Sequence, residues 1–74
     1  MKPIKEYQSI GEFIVAEREA KAMTQEGFAK HLGISRVSLA LIEKGRRKAG
    51  KKIIRALAKK TSATLDELVE LAAR

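Results

Sequence analysis

Hydrophobic residues recur along this chain at helical spacing, and the alternation typical of strands is nearly absent. Ser9 and Glu12 have the spacing of a capping box, in which a hydroxyl and a carboxylate each satisfy a free amide at the start of a helix. The apolar stripe that follows consists of Ile10, Phe13 and Ile14. The pattern predicts an all-α fold whose first helix runs to about Lys21.

Two short helices are predicted next, joined by a tight turn. Thr24 is placed to cap the first of them, and Gly33 ends it because glycine accepts the left-handed conformation common just past a helix. Ser35 caps the following helix, which Gly45 ends. The pair would face one core with Phe28, Leu32, Ile34, Leu39 and Ile42. This arrangement is typical of a helix-turn-helix unit, whose second helix enters the major groove of DNA.

Two further helices complete the predicted domain. The fourth lacks a strong cap, since Ala49 and Gly50 precede it, and its buried stripe is Ile53, Ile54, Leu57 and Ala58. Thr64 and Glu67 repeat the capping-box spacing and open the fifth helix. We expect its core stripe to be Leu65, Leu68, Val69 and Ala72. Leu71 falls off that stripe, so it is a candidate for a subunit contact, with core packing as the alternative.

Length and composition restrict the possible functions. A chain of 74 residues allows one domain, which we assign to residues 9–74 after an N-terminal arm at 1–8. Cysteine is absent, there is one histidine, and no combination of residues resembles a catalytic or metal-ligand set. We therefore expect no enzyme activity, no cofactor and no metal. Neither a signal peptide nor a membrane span is evident, and we expect a cytoplasmic protein without membrane contact.

The charge is strongly positive and uneven. Lysine and arginine number 16 against 9 acidic residues, for a formal net charge of +7, and no acidic residue lies between Lys44 and Lys60. Such a stretch favours a polyanionic partner, with a solvated basic face as the alternative. The five cations of the fourth helix straddle it, so we expect most of them to be solvated. They are Lys51, Lys52, Arg55, Lys59 and Lys60.

Two stretches of the sequence resemble the Cro/CI-type phage repressors and their bacterial relatives. The first runs from Met23 to Arg36 and has the order Gln, apolar, Ala, apolar, Gly, apolar, Ser at the family's spacing. The second is the Glu-x-Gly-x-Arg run within Ile42 to Arg47. This resemblance covers about residues 10–71 and implies a compact five-helix fold like that of lambda repressor. It also implies double-stranded DNA as the partner.

The resemblance implies roles for individual residues. Gln25 corresponds to a position that hydrogen-bonds a phosphate and braces the reading helix. Base-reading positions correspond to Arg36, Val37 and Leu41. Arg18 and Glu43 correspond to a structural ion pair that ties the first helix to the end of the third. The family more often has polar residues where this chain has Val37 and Leu41.

Chemistry alone leaves alternatives open at these positions. Arg36 is able to make two hydrogen bonds to guanine or to bind a phosphate. Val37 and Leu41 are limited to apolar contacts, either with thymine methyl groups or with a protein. Further phosphate candidates follow from position and charge: Ser35, Ser38, Lys44, Arg46, Arg47 and Lys48.

The expected function is sequence-specific binding of double-stranded DNA by a transcriptional regulator, a repressor acting as a homodimer on a two-fold operator. The alternative is an antitoxin or another protein-interaction module whose DNA binding is autoregulatory. An apolar outer face on the third helix and the unexplained arm favour that alternative, with a toxin or other protein as the partner.

Overall fold

The protein is described by a computed structural model covering residues 2–74, which form five α-helices after a short 3-10 helix. The bounds are Ile4–Glu6 for the 3-10 helix, then Ile10–Ala20 (α1), Gln25–Leu32 (α2), Arg36–Glu43 (α3), Lys51–Lys60 (α4) and Leu65–Ala72 (α5). No strand occurs in this range. The predicted all-α, five-helix fold is confirmed. None of the helices in the described part of the chain is long and apolar enough to cross a membrane.

Hydroxyl caps begin four of the five α-helices, as predicted. In each, the side-chain oxygen accepts a hydrogen bond from the backbone N–H three residues later. The capping residues are Ser9, Thr24, Ser35 and Thr64. At Thr64 the box is complete, because the Glu67 carboxylate accepts from the Thr64 N–H at 2.9 Å. α4 begins at Gly50 with no side-chain cap, which confirms the weak start predicted there.

Left-handed residues end the first three helices. Gly33 has φ of 76° and Gly45 has φ of 77°, and both glycines were predicted as helix ends. The Ile34 N–H donates to the Ala29 carbonyl at 2.9 Å, which closes the C-terminal turn of α2 and reverses the chain towards α3. Ala22 takes the same conformation after α1, with φ of 54°, although its Cβ disfavours it.

The core lies where all five helices meet. α3 packs against α1 and α2, while α5 packs against α4, α1 and the 3-10 helix. The largest fully buried side chains are Phe28, Ile14, Leu39, Ile42, Leu57, Leu68 and Leu71. α3 contributes two of them, Leu39 and Ile42, so one side of this helix packs in the core and the opposite side faces solvent.

The predicted stripe of α5 is confirmed at Leu68 and Ala72 and is wrong at Leu65 and Val69. Leu71 is only 2% exposed and belongs to the core with Leu68, whereas Leu65 is 47% exposed and Val69 is 53% exposed. The apolar residues of this short helix form two overlapping stripes, and contacts with the 3-10 helix, α1 and α4 select the one that contains Leu71. Leu71 is therefore unavailable for a subunit contact, and Leu65 and Val69 take its place as exposed apolar residues.

The predicted arm packs on the domain in its described part; Met1 lies outside the described residues. Tyr7 is buried, and its ring meets that of Phe13 edge-on with centroids 5.6 Å apart. The Arg74 guanidinium donates to the carbonyl oxygens of Lys5 at 2.7 Å and Tyr7 at 2.8 Å. These contacts connect the two ends of the described chain.

Candidate nucleic-acid interface

α3 presents its N-terminal half to solvent. Leu39 and Ile42 point into the core, which leaves Arg36 exposed and Val37 with 59% of its surface accessible. Leu41 is half-buried, so it is less available for contact than the other two residues predicted to read bases. The outer face of α3 thus has one cation and one freely accessible apolar side chain in its first turn.

The C-terminal end of α3 is anchored by hydrogen bonds to the carboxylate of Glu43. Arg18 of α1 donates to the Glu43 carboxylate from Nε at 2.9 Å and from Nη2 at 3.2 Å. Gln25, the first residue of α2, donates to the same carboxylate from its side-chain amide at 2.8 Å. Glu43 therefore links the first three helices through three hydrogen bonds, two of them from a planar guanidinium that matches the carboxylate.

Burial makes this network rigid. The side chain of Glu43 is only 5% exposed and that of Arg18 is 18% exposed. The hydrogen bond to Glu43 raises the pKa of Arg18 above its ordinary value, so the guanidinium stays charged wherever the fold persists. Arg18 also donates to the Met23 carbonyl at 3.3 Å, which ties the end of α1 to the loop before α2.

Gly11 is a positioning residue that the sequence analysis did not single out. A Cβ at this position would clash with the carbonyl oxygen of Ile42 and would lie 2.8 Å from that of Glu43. The missing side chain lets the last turn of α3 approach the backbone of α1 directly. A glycine inside a capped helix was the available signal, because glycine is a poor helix former unless something else requires it.

Three polar side chains meet at the N-terminal end of α3. The Ser35 hydroxyl donates to Ser38 Oγ at 3.0 Å, and Arg47 Nη1 donates to the same oxygen at 2.8 Å. Arg47 thereby reaches back from the loop after α3 to the first turns of that helix.

A shallow concavity of about 550 Å³ lies between the start of α2 and the start of α3. Gln25 of α2 and Arg36 of α3, both predicted site residues, line it. Lys30 lines it as well and was not predicted as a site residue. The amide end of α2 also opens here, and helix N-termini favour anions. Glu26 lines the concavity too, so its walls carry two cations and one carboxylate.

Exposed cations continue the surface beyond α3. Lys44, Arg46, Arg47 and Lys48 are all exposed in the segment that follows the helix. The salt bridges found within residues 2–74 involve other cations: Lys2, Arg18, Lys21 and Arg74. The positive charge on this side is therefore not neutralised by an ion pair within the described residues.

Known proteins with similar sequences indicate the family to which this arrangement of helices belongs. The helix-turn-helix family profile matches residues 14–73. The chain is also 47% identical over 58 residues to YazB of Bacillus subtilis strain 168, which is named an uncharacterized HTH-type transcriptional regulator. That alignment covers 78% of this chain and 84% of YazB. No solved structure gives a significant match.

The chain belongs to the Cro/CI-type helix-turn-helix family.

In this family of DNA-binding transcriptional regulators, α2 and α3 of the chain are the helix-turn-helix, and the left-handed Gly33 is its turn. The resemblance found in the sequence is confirmed at the level of family and fold. The roles of the individual residues stay predictions. The geometry brings them into three groups: the buried Glu43 network, the α2–α3 concavity, and the basic segment after α3.

Proposed function

We propose that this Cro/CI-type protein is a transcriptional repressor that binds a specific double-stranded DNA sequence with α3 in the major groove. The observation that supports the proposal best is the split character of α3. Leu39, Ile42 and Glu43 hold the helix on the domain, while Arg36 and Val37 stand clear of it. A helix held in this way is a rigid probe with its first turn free for base edges.

Arg36 and Val37 are the proposed base-reading residues, with Leu41 at the margin. Arg36 has five guanidinium donors and no acidic partner within residues 2–74, so it is free to bind guanine O6 and N7 together. Val37 offers its methyl groups to thymine. Leu41, being half-buried, would contact a base only at the edge of the interface.

Phosphates are the proposed partners of the surrounding polar groups. Gln25 is held by Glu43 beside the amide end of α2, so its second amide hydrogen is oriented for a phosphate oxygen. Ser35 serves first as the N-cap, and Ser38 receives Arg47, so both hydroxyls act together with that guanidinium. The remaining phosphate contacts are Lys44, Arg46 and Lys48.

The proposed active form is a homodimer, because one small module makes few base and phosphate contacts. Leu65 and Val69 are exposed on α5 and supply an apolar surface for the second copy. Each subunit would read one half-site, with the half-sites about 34 Å apart, one turn of DNA. Analytical ultracentrifugation of Leu65→Glu and the unaltered chain tests this interface, and an unchanged monomer–dimer equilibrium would contradict it.

Selection from a pool of random duplexes at a stated salt concentration tests the function directly. We expect enrichment of a two-fold sequence and binding to it at least 1,000-fold tighter than to a scrambled duplex, on the order found for specific DNA-binding proteins. A loss-of-function variant is Val37→Glu, which places a carboxylate on the exposed face of α3. It should abolish enrichment of the specific duplex while its helix content, measured by circular dichroism, equals that of the unaltered chain. Failure to enrich any sequence would contradict the proposal.

Exposed Val37 supports the second candidate function, a protein-interaction module such as an antitoxin that binds a toxin. A partner protein would cover this side chain, which is the most exposed of the large hydrophobic residues in the described chain. Co-purification with a protein encoded beside it would support this role. Loss of that complex in Val37→Glu, with DNA selection unaffected, would favour the module over the repressor.

A further inference from the structure

A second basic surface meets the α2–α3 concavity at Lys30, which lines both, and otherwise lies apart from the proposed DNA interface. The C-terminal part of α2 and the outer side of α4 enclose a groove of about 450 Å³. Its apolar floor contains partly exposed Ala56 and Leu32, which is only 4% exposed, and its α4 rim contains Lys52, Arg55 and Lys59. None of the residues that line it belongs to α3 or to the basic segment after α3. We call this surface the α2–α4 groove.

The groove concentrates charge of one sign. Lys52, Arg55 and Lys59 are separated by three and four residues, so they share one face of α4 across two turns, and all three are exposed. The salt bridges found within residues 2–74 include none of them. Like charges one turn apart repel each other, and the helix keeps three of them together. An anionic ligand would relieve that repulsion.

The floor distinguishes between anionic ligands. A phosphodiester chain requires cations and hydrogen-bond donors, which a flat lysine face already supplies. This groove adds an apolar lining beside the cations, in which Ala56 is partly exposed and Leu32 is only 4% exposed. The aliphatic stems of the lysines extend that apolar surface. A ligand that matches both features carries carboxylates along its edges and apolar side chains between them.

We propose that the α2–α4 groove binds an acidic, amphipathic segment of a partner protein. Its apolar side chains would lie on Ala56 and on the aliphatic stems of the flanking lysines, and its carboxylates would pair with Lys52, Arg55 and Lys59. Helix-in-groove recognition of this kind takes affinity from the apolar contacts and orientation from the charges. The repressor would then have one face for DNA and another for a protein.

Amide chemical-shift mapping of the ¹⁵N-labelled chain tests the proposal. The probe is a synthetic 14-residue helical peptide with glutamate on one face and leucine on the other, compared with an oligoglutamate of equal charge. We expect shifts confined to residues 30–33 and 51–60, and binding of the amphipathic peptide at least tenfold tighter than that of oligoglutamate. Equal affinities would overturn the proposal, because charge alone would then explain binding.

Matched charge variants locate the site. The triple variant Lys52→Gln, Arg55→Gln, Lys59→Gln should lose at least tenfold in peptide affinity. The control triple Arg46→Gln, Arg47→Gln, Lys48→Gln removes the same charge from the proposed DNA surface and should lose less than twofold. Ala56→Gln fills the floor without changing charge and should also lose at least fivefold. Equal losses in the two triples would overturn the proposal.

Two competing occupants have separate signatures in the same experiment. If a DNA duplex, added at saturation, displaces the peptide from residues 51–60, the groove is part of the nucleic-acid surface and the proposal is wrong. A second copy of the chain would produce shifts in both the groove and α5 on concentrating the free protein, because Asp66 and Glu70 lie near exposed Val69. That result would replace the partner protein with self-association.

Discussion

The two ends of α3 are built in opposite ways. At the C-terminal end, Glu43 is buried and accepts three hydrogen bonds from Arg18 and Gln25, and Gly11 lets the backbones of α1 and α3 touch. At the N-terminal end, Arg36 is exposed and outside the salt bridges of residues 2–74. The charged groups at one end are hydrogen-bonded within the protein, whereas at the other end the guanidinium donors of Arg36 remain available.

This difference separates stability from recognition. Polar groups that are buried and paired hold a helix in one orientation, because any rearrangement leaves a charge without a partner. Exposed donors contribute little to folding and are free to exchange water for a ligand. Substitutions at the C-terminal end should therefore change folding, whereas those at the N-terminal end should change DNA binding.

Glu43→Ala should produce the largest effect on the fold. It leaves the Arg18 guanidinium largely buried without its partner, and we expect a loss of about 3 kcal/mol in the free energy of unfolding. Urea denaturation measures it. Glu12→Ala is the matched control, since it breaks the exposed pair with Lys2 and should cost under about 1 kcal/mol. Similar losses of unfolding free energy in the two variants would show that burial does not make the Glu43 network more stabilising than an exposed ion pair.

Gly11→Ala should destabilise the fold by about 2 kcal/mol, because the new Cβ overlaps backbone atoms of α3 that cannot rotate away. The control is Gly27→Ala, whose Cβ would lie 3.2 Å from the Thr24 hydroxyl oxygen and 4.0 Å from the Met23 Cε, with no backbone atom in the way. Helix propensity favours alanine at position 27 by about 1 kcal/mol, which offsets the tight contact. Thermal unfolding of both variants tests whether the close approach at Gly11 is required.

Arg36→Ala should leave unfolding unchanged and cost about 1–3 kcal/mol in binding to the selected duplex. The loss should appear as relaxed preference at one base pair, because the arginine is proposed to read a guanine. Binding is measured by fluorescence anisotropy on the selected and single-substituted duplexes. An equal loss on every sequence would assign Arg36 to a phosphate instead.

Arg47→Ala should weaken binding to all duplexes alike and reduce the slope of log K against log salt by about one. The control, Lys59→Ala, removes the same charge from the α2–α4 groove and should leave the slope unchanged. If the two variants behave identically, net charge explains the effect, and a phosphate contact by Arg47 is contradicted.

Ala22→Gly should give the smallest change and the only gain. Glycine removes the Cβ that disfavours the left-handed conformation at this position, which stabilises the folded state. Glycine also gives the unfolded chain more conformational entropy, which offsets part of that gain. We therefore expect a net stabilisation of about 0.5–1 kcal/mol. DNA affinity should not change, since neither end of α3 is altered. A change in affinity at constant fold would show that stability and recognition are coupled after all.

Local chemistry made much of the fold predictable. Ser35 caps α3 through atoms that lie within three residues of it, and Gly33 reverses the chain through its own backbone freedom. Such features depend on neighbours in the sequence and are therefore readable from it. The exposed N-terminal end of α3 followed in the same way, because Leu39 and Ile42 define an inner side and leave Arg36 and Val37 opposite.

Contacts between distant residues were harder to predict. The pairing of Arg18 with Glu43 was implied by resemblance and not by spacing. The resemblance also implied that Gln25 braces α3, but it did not name Glu43 as the partner. The stripe chosen in α5 was wrong at Leu71, because two overlapping stripes satisfied the same helical period. The α2–α4 groove joins residues from two helices whose relative position no local pattern specifies.

The sequence by itself determined where the helices begin and end, which helix pair is the helix-turn-helix, and that positive charge gathers after α3. Only the tertiary structure decided that Leu71 is buried, that α3 packs closely on α1 at Gly11, and that the Glu43 carboxylate links three helices. The physical reason is the distance along the chain over which each kind of interaction acts. Caps and turns are satisfied within a few residues, whereas burial and ion pairing depend on which surfaces the rest of the chain brings into contact.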